Sequence, residues 1–173
     1  MKQNLIKLRA LEPKDIDFLL QIENDTDLWH LSHTQQPFSK KLLQTYIANA
    51  DRDIYEAKQF RFAIETMTDG KLVGFIDLFD FDPKNKRAGI GIVIAHVYQN
   101  KGYGQAALLA VIQYAFNILY LHQLYANIAV SNLPSQQLFE KNGFQLSGVK
   151  KDWNFNGRTY EDELFYQLIN QNG

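Results

Sequence analysis

There is no cysteine anywhere in the sequence. Its absence excludes disulfides, thiolate metal sites and a cysteine nucleophile at once. Long apolar runs are missing as well, and none approaches the ~20 residues of a membrane span. The opening segment 1–4 carries no apolar signal either. A soluble, cytoplasmic protein is the expectation. Neither sign of charge is in excess: 18 Lys and Arg oppose 19 Asp and Glu, for a formal net charge of −1. That balance argues against nucleic acid or an anionic membrane as the main partner. Proline is limited to 4 residues, and no repeat or low-complexity linker divides the chain. Apolar material, by contrast, is plentiful. Hydrophobic residues make up 46% and aromatics 13% of the 173 residues, enough to fill the core of one compact domain spanning 1–173.

Periodicity and turn chemistry predict the elements. Leu5, Ile6 and Leu8 suggest a first strand. A helix over 13–22 follows, with Pro13 suited to its first turn and Asp15 and Asp17 near its positive end. The stretch 23–37 is polar and reads as irregular. Ser39 then caps a second helix through Ala50, with Leu42, Leu43, Tyr46 and Ile47 on one side. Strands over 61–66 and 71–79 are joined by Thr68-Asp69-Gly70, and a loop at 82–85 leads to a strand over 87–95. The helix over 104–117 carries Ala107, Leu108, Val111, Ile112, Ala115 and Phe116 as an apolar stripe. Next come a strand over 122–130 and a short helix from about Asn132, with Pro134 in its first turn and Gly143 beyond its end. Strands over 144–151 and 158–169 flank Asn156-Gly157, a hairpin signal. The order β-α-α-β-β-β-α-β-α-β-β describes an α/β (α+β) fold on a mixed sheet.

The most informative stretch is 93–105, where an apolar strand runs into Gln99-Asn100-Lys101-Gly102-Tyr103-Gly104-Gln105 and a helix opens at the second glycine. The first N–H groups of a helix have no internal partner and sit at the positive end of its dipole. Glycines there let a ligand approach the backbone, so a diphosphate is the natural guest. The competing reading is a strand–turn–helix connection whose glycines only make the turn. Two other nucleotide patterns fail. Gly89-Ile90-Gly91 lies within a strand and has Ile94 where a third glycine belongs, and Gly102-x-Gly104 lacks a Gly-Lys-Ser/Thr ending. His30 and His33 have no clear third ligand, so no metal site is expected.

These residues, in this order, resemble the GNAT superfamily of acyl-CoA-dependent N-acetyltransferases. The likeness covers nearly the whole chain. Its carriers are Leu8-Arg9-Ala10-Leu11 before a helix, Gly74-Phe75-Ile76-Asp77, the run Tyr98 to Gly104, Asn132-x-x-Ser135 with Phe139 to Phe144, and Asn156-Gly157 with Tyr160-x-Asp162. Within the superfamily the chain is most similar to the branch of ribosomal-protein alanine acetyltransferases and spermidine N-acetyltransferase. The resemblance implies the GNAT acyl-CoA N-acyltransferase fold, acetyl-CoA as co-substrate, and a polyamine such as spermidine or a peptide N-terminal amine as acceptor. A homodimer and a catalytically weak acyl-CoA-binding module remain alternatives.

The resemblance also implies roles. Gln99, Asn100, Lys101, Gly102, Tyr103, Gly104 and Gln105 would wrap the pyrophosphate. Backbone groups of Ile92, Val93 and Ile94 would pair with the pantetheine arm, and Asn132, Ser135 and Phe139 would line its thioester end. Glu23, Asp25 and Asp77 are candidates for the acceptor amine, with a solvated loop as the plain alternative for the acidic segment. Transfer without a covalent intermediate needs a neutral amine, a polarised carbonyl and a protonated leaving thiolate. Asp77 is the candidate base, while Asp77 and Glu65 otherwise read as edge or solvent-facing carboxylates. Many relatives have a tyrosine where this chain has Phe139, which cannot donate a proton. Ser135 lies four residues earlier on the same helix face and is the candidate acid, ahead of Tyr125 and Tyr103.

Overall fold

A computed structural model describes residues 5–171. Residues 1–4, read above for a signal segment, and the last two residues of the expected 1–173 domain lie outside the described residues. Strand β1 (Ile6–Arg9) is followed by a 3-10 turn (Pro13–Asp15) and helices α1 (Ile16–Glu23), α2 (Trp29–Ser32), α3 (Lys40–Ala48) and α4 (Ile54–Ala57). Strands β2 (Phe60–Thr66), β3 (Leu72–Asp82) and β4 (Arg87–Ile94) form a meander. A 3-10 turn (His96–Tyr98), α5 (Tyr103–Asn117), β5 (Gln123–Ala129), α6 (Leu133–Lys141), β6 (Gln145–Phe155) and β7 (Tyr160–Ile169) complete the chain. One seven-stranded sheet results, in the order β1-β2-β3-β4-β5-β7-β6. No helix among the described residues is long and apolar enough to cross a membrane.

The expected order holds, with two additions. Single-turn helices α2 and α4 were not foreseen, because one turn is too short to display a 3.6-residue period. Tertiary and capping bonds hold them instead. The Trp29 indole donates to the Glu23 carbonyl at 2.9 Å, which ties α2 to the end of α1. Asp53 caps α4 by accepting from the Tyr55 N–H at 2.7 Å. The other helix starts follow the sequence: Ser39 accepts from the Leu42 N–H, and Asn132 from the Ser135 N–H.

Alternation along the strands creates two apolar layers. On one face Ile76, Leu78, Leu124, Ala126 and Tyr166 pack with Leu108 and Val111 of α5 and Phe139 of α6. On the other, Ala63 and Phe75 pack with Leu19 and Ile22 of α1 and Leu43 and Ile47 of α3. Strand order places β3 and β4 inside the sheet, with helices packed on both faces.

Asp15 and Glu65 are structural. Asp15 is buried against Arg9 at 2.7 Å and also accepts from the Glu12 N–H, so it serves an ion pair more than a helix dipole. Glu65 takes Lys7 at 2.7 Å and Arg9 at 2.6 Å across the β1–β2 edge. Those two hydrogen bonds hold its carboxyl down at about 2, from an ordinary 4.5. A carboxyl held low in the fold stabilises it above the unfolded value and loses that contribution as pH falls through the folded one. The melting temperature should therefore decline between about pH 4.5 and pH 2, and Glu65→Gln should flatten that decline. A Glu65→Gln curve parallel to wild type would remove Glu65 from the acid transition.

Candidate functional site

Strands β4 and β5 form the parallel pair of the sheet, and they pair over only three positions, from Arg87↔Gln123 to Gly89↔Tyr125. Beyond Gly89 the strands part. On its other edge β4 stays paired with β3 as far as Gly74↔Ile94. The Ala95 N–H donates to the Val73 carbonyl at 3.0 Å. Alternation in an antiparallel ladder then directs the backbone of Val93 at β3, and that of Ile92 and Ile94 into the gap. Of the three expected to meet an extended arm, Ile92 and Ile94 are placed to do so, whereas the Val93 backbone serves the sheet.

A cavity of about 550 Å³ occupies the gap. Its lining includes Ile90, Ile92, Ala126 and Phe139 from the α5–α6 side, and Glu23, Asp77 and Val93 from the α1 side, so it passes through the sheet. A linear molecule entering from one face can thus meet a second molecule entering from the other.

The glycine corner lies at the start of α5. Gly102 is the N-cap, with φ +85°, a conformation costly for a residue with a Cβ. It brings no side chain to cap the helix, so the amides of the first turn are left for a ligand. Asn100 is also left-handed, at φ 60°, and the two reversals fold the loop tightly. Gln99 donates back to the Ile94 carbonyl at 3.0 Å, and Lys101 to the Val97 carbonyl at 3.0 Å with its ammonium 5.5 Å from the Tyr98 ring. A diphosphate at the corner and an amide-bearing arm along Ile92 and the Ile94 N–H fit this arrangement, the Ile94 carbonyl being taken by Gln99.

On the acceptor side, Asp77 and Arg61 face each other across β2 and β3. The guanidinium grips Asp77 with both oxygens, at 2.7 and 2.9 Å, and also binds Glu23. Burial works against the Arg61 charge, but the carboxylates outweigh it and raise its pKa further. Both Asp77 oxygens are therefore engaged, an arrangement that suits fixing charge in the wall better than collecting a proton. Glu23 lines the cavity as expected, and Asp25 does not. Beyond α1 the Asn24 side chain exchanges two hydrogen bonds with the Phe38 backbone, turning the chain away. Asp25 then accepts from the Asp27 N–H and stands 3.8 Å from His96. It is a loop residue, as the plainer reading had it. Asp25, Asp27 and His96 do approach one another as a loose, mostly exposed group.

Ser135, Asn132 and Phe139 all line the cavity. Asn132 Oδ1 accepts from the Ser135 N–H at 3.2 Å, and Phe139 is buried edge-on against Phe144 at 4.9 Å. Tyr125 and Tyr103 are not among the lining residues. The Tyr125 hydroxyl points to Asp80 at 3.4 Å, and burial pushes its phenol up. Ser135 is thus the hydroxyl from α6 that faces the gap.

Sequence reasoning missed the opposite wall. Glu163 of β7 is buried in the cavity lining, held by Lys150 at 3.0 Å and by the Asn154 amide at 3.3 Å, with His33 at 3.9 Å. Within Tyr160-Glu161-Asp162-Glu163 it looks like one more solvated acid. The available signal was alternation, which sets Glu163, Phe165 and Gln167 opposite the core residues Leu164 and Tyr166.

Comparison with known proteins gives a consistent result. Residues 6–145 match the Acetyltransferase (GNAT) domain family. Spermidine N(1)-acetyltransferase of Vibrio cholerae is 28% identical over 166 residues, covering 94% of this chain and 92% of the relative. A Bacillus subtilis protein provisionally named as a ribosomal N-acetyltransferase, YdaF, is 31% identical over 169 residues, covering 95% and 91%. Among solved structures, the Vibrio cholerae spermidine N-acetyltransferase in complex with CoA and spermine superposes with a TM-score of 0.86 at 25% identity, covering 95% of each chain.

Proposed function

The chain belongs to the acetyltransferase (GNAT) family, and from that premise we propose that it acetylates a primary amine of the polyamine type. The coarser activity is established by the family and its relatives: it is an acetyl-CoA-dependent N-acetyltransferase. One observation carries the choice of acceptor. Three carboxylates, Glu23, Asp77 and Glu163, line the cavity against two cations, Arg61 and Lys150. The excess of negative charge favours an ammonium, and a second ammonium on the same molecule has a second acidic wall to meet. Relatives that act on spermidine support the same reading. A peptide N-terminal amine is the second reading, favoured by Trp153, an exposed aromatic at the rim that suits a side chain.

Acetyl-CoA supplies the acyl thioester. In this proposal its diphosphate rests on the amides of Gly102, Tyr103, Gly104 and Gln105, and Ile92 and Asn132 guide the arm. The Ile94 N–H, turned into the gap, polarises the carbonyl. Ser135 donates a hydrogen bond and a proton towards the leaving sulfur, and the amine attacks directly while both substrates are bound. Glu23 and Asp77, fixed by Arg61, hold the acceptor's charge.

An acetyl-CoA consumption screen against spermidine, peptides with Ala or Ser at the N-terminus, and amino-acid-like amines tests the acceptor. Spermidine should be used fastest, and a preference for peptides would hand the site to the second reading. Ser135→Ala should lower kcat by about 100-fold with acetyl-CoA affinity retained. Turnover and a pH–rate profile equal to wild type would take Ser135 out of the mechanism.

A further inference from the structure

With both Asp77 oxygens held by Arg61, the base for the acceptor must be sought elsewhere in the cavity. His33 ends α2 in the left-handed conformation, φ 55°, which histidine tolerates better than most residues. Both His33 and Glu163 line the cavity, with Nε2 and Oε2 3.9 Å apart. That is too long for a hydrogen bond between them. It is, however, less than twice an ordinary hydrogen-bond length of about 2.8 Å, so one nitrogen atom can touch both. Glu163 is fixed for this by Lys150 and Asn154. Lys150 is itself held by Asn127 at 2.9 Å and lies 5.0 Å from the Trp153 ring.

From this geometry we infer that His33 is the general base of the reaction and that Glu163 holds the acceptor nitrogen against it. The inference rests on the N-acetyltransferase reading and reassigns the proton-accepting role from Asp77. The acceptor ammonium gives one proton to Nε2 of His33, and Glu163 offsets the imidazolium charge that forms. The freed nitrogen pair then makes the C–N bond while the C–S bond breaks. Sulfur keeps that electron pair and receives a proton, the nitrogen loses its second, and one proton in total passes to solvent. Histidine is the side chain whose ordinary titration range lies nearest neutrality, which suits it to the task. The other charged and titratable groups lining the cavity with it are Glu163, Lys150, His30, Glu23, Arg61 and Asp77.

The test uses the whole 173-residue chain and the amine that wild type acetylates fastest in the panel above. His33→Asn keeps a residue suited to the left-handed position and should lower kcat/KM about 100-fold near neutral pH. The deficit should shrink at high pH, where the acceptor deprotonates unaided, and added imidazole should restore part of the rate. Acetyl-CoA binding by calorimetry should match wild type. Glu163→Gln should raise KM for the amine about 10-fold. A His33→Asn enzyme with the wild-type rate and profile, or with a loss that neither pH nor imidazole relieves, overturns the assignment. Failure of the polyamine reading looks different: wild type would then ignore spermidine and prefer another amine, on which His33 is still tested.

Discussion

Gly74→Ala should be among the most damaging single substitutions in this protein. A Cβ built there comes within 2.1 Å of the Val93 carbonyl oxygen and 3.0 Å of the Ile94 Cα. Both obstacles are backbone, in the central β3–β4 pair, so no rotamer change relieves them. Overpacking of this kind costs about 3 kcal/mol or more when backbone must move. For a chain of this size each kcal/mol lowers the melting temperature by roughly 2–4 °C, so a fall on the order of 10 °C is expected. Function should suffer as well in the molecules that remain folded. Ile94 is the residue whose N–H is turned into the gap, and parting β3 from β4 moves it. Thermal and denaturant unfolding of the variant check the first effect, and kcat at saturating acetyl-CoA checks the second. A melting temperature equal to wild type would mean that the strands accommodate a methyl group and that their close approach is incidental.

Gln105→Glu should separate stability from cofactor binding by moving them in opposite directions. Gln105 lies in the first turn of α5, beyond the uncapped Gly102. A carboxylate there interacts favourably with the helix dipole, so stability should hold or rise by a few tenths of a kcal/mol. The same charge opposes a diphosphate at that corner. At an effective dielectric near 20, like charges about 5 Å apart repel by roughly 3 kcal/mol. Discounting for solvent, acetyl-CoA binding should weaken on the order of 10- to 100-fold, and the loss should shrink at high ionic strength. Calorimetric titration at two salt concentrations measures both. Unchanged affinity would place the diphosphate elsewhere and remove the ground for reading Gly102–Gly104 as its seat.

Much of this site was legible before any tertiary contact was known. The strand-to-helix passage through Gly102 and the cap at Asn132 with Ser135 behind it are local features. Each is set within about ten residues by periodicity, turn chemistry and the unsatisfied amides of a helix start. The proposed seat for acetyl-CoA rests on them, because an anion needs little more than an open helix terminus and room to approach it. Stretches that stayed opaque were those where a single turn is stabilised from outside. Helix α2 is one: four residues show no period, and its order comes from Trp29 reaching back to Glu23.

Composition, element order, the glycine corner and the likeness to acetyltransferases were thus determined by the sequence itself. Only the tertiary structure decided which acidic residues share the cavity. It drew Glu23 and Asp77 onto Arg61, turned Asp25 out towards His96, and set Glu163 beside His33 from the far end of the chain. The reason is physical. A carboxylate's role depends on what faces it through space, and strand register, which settles that, comes from packing a whole sheet between two helical layers.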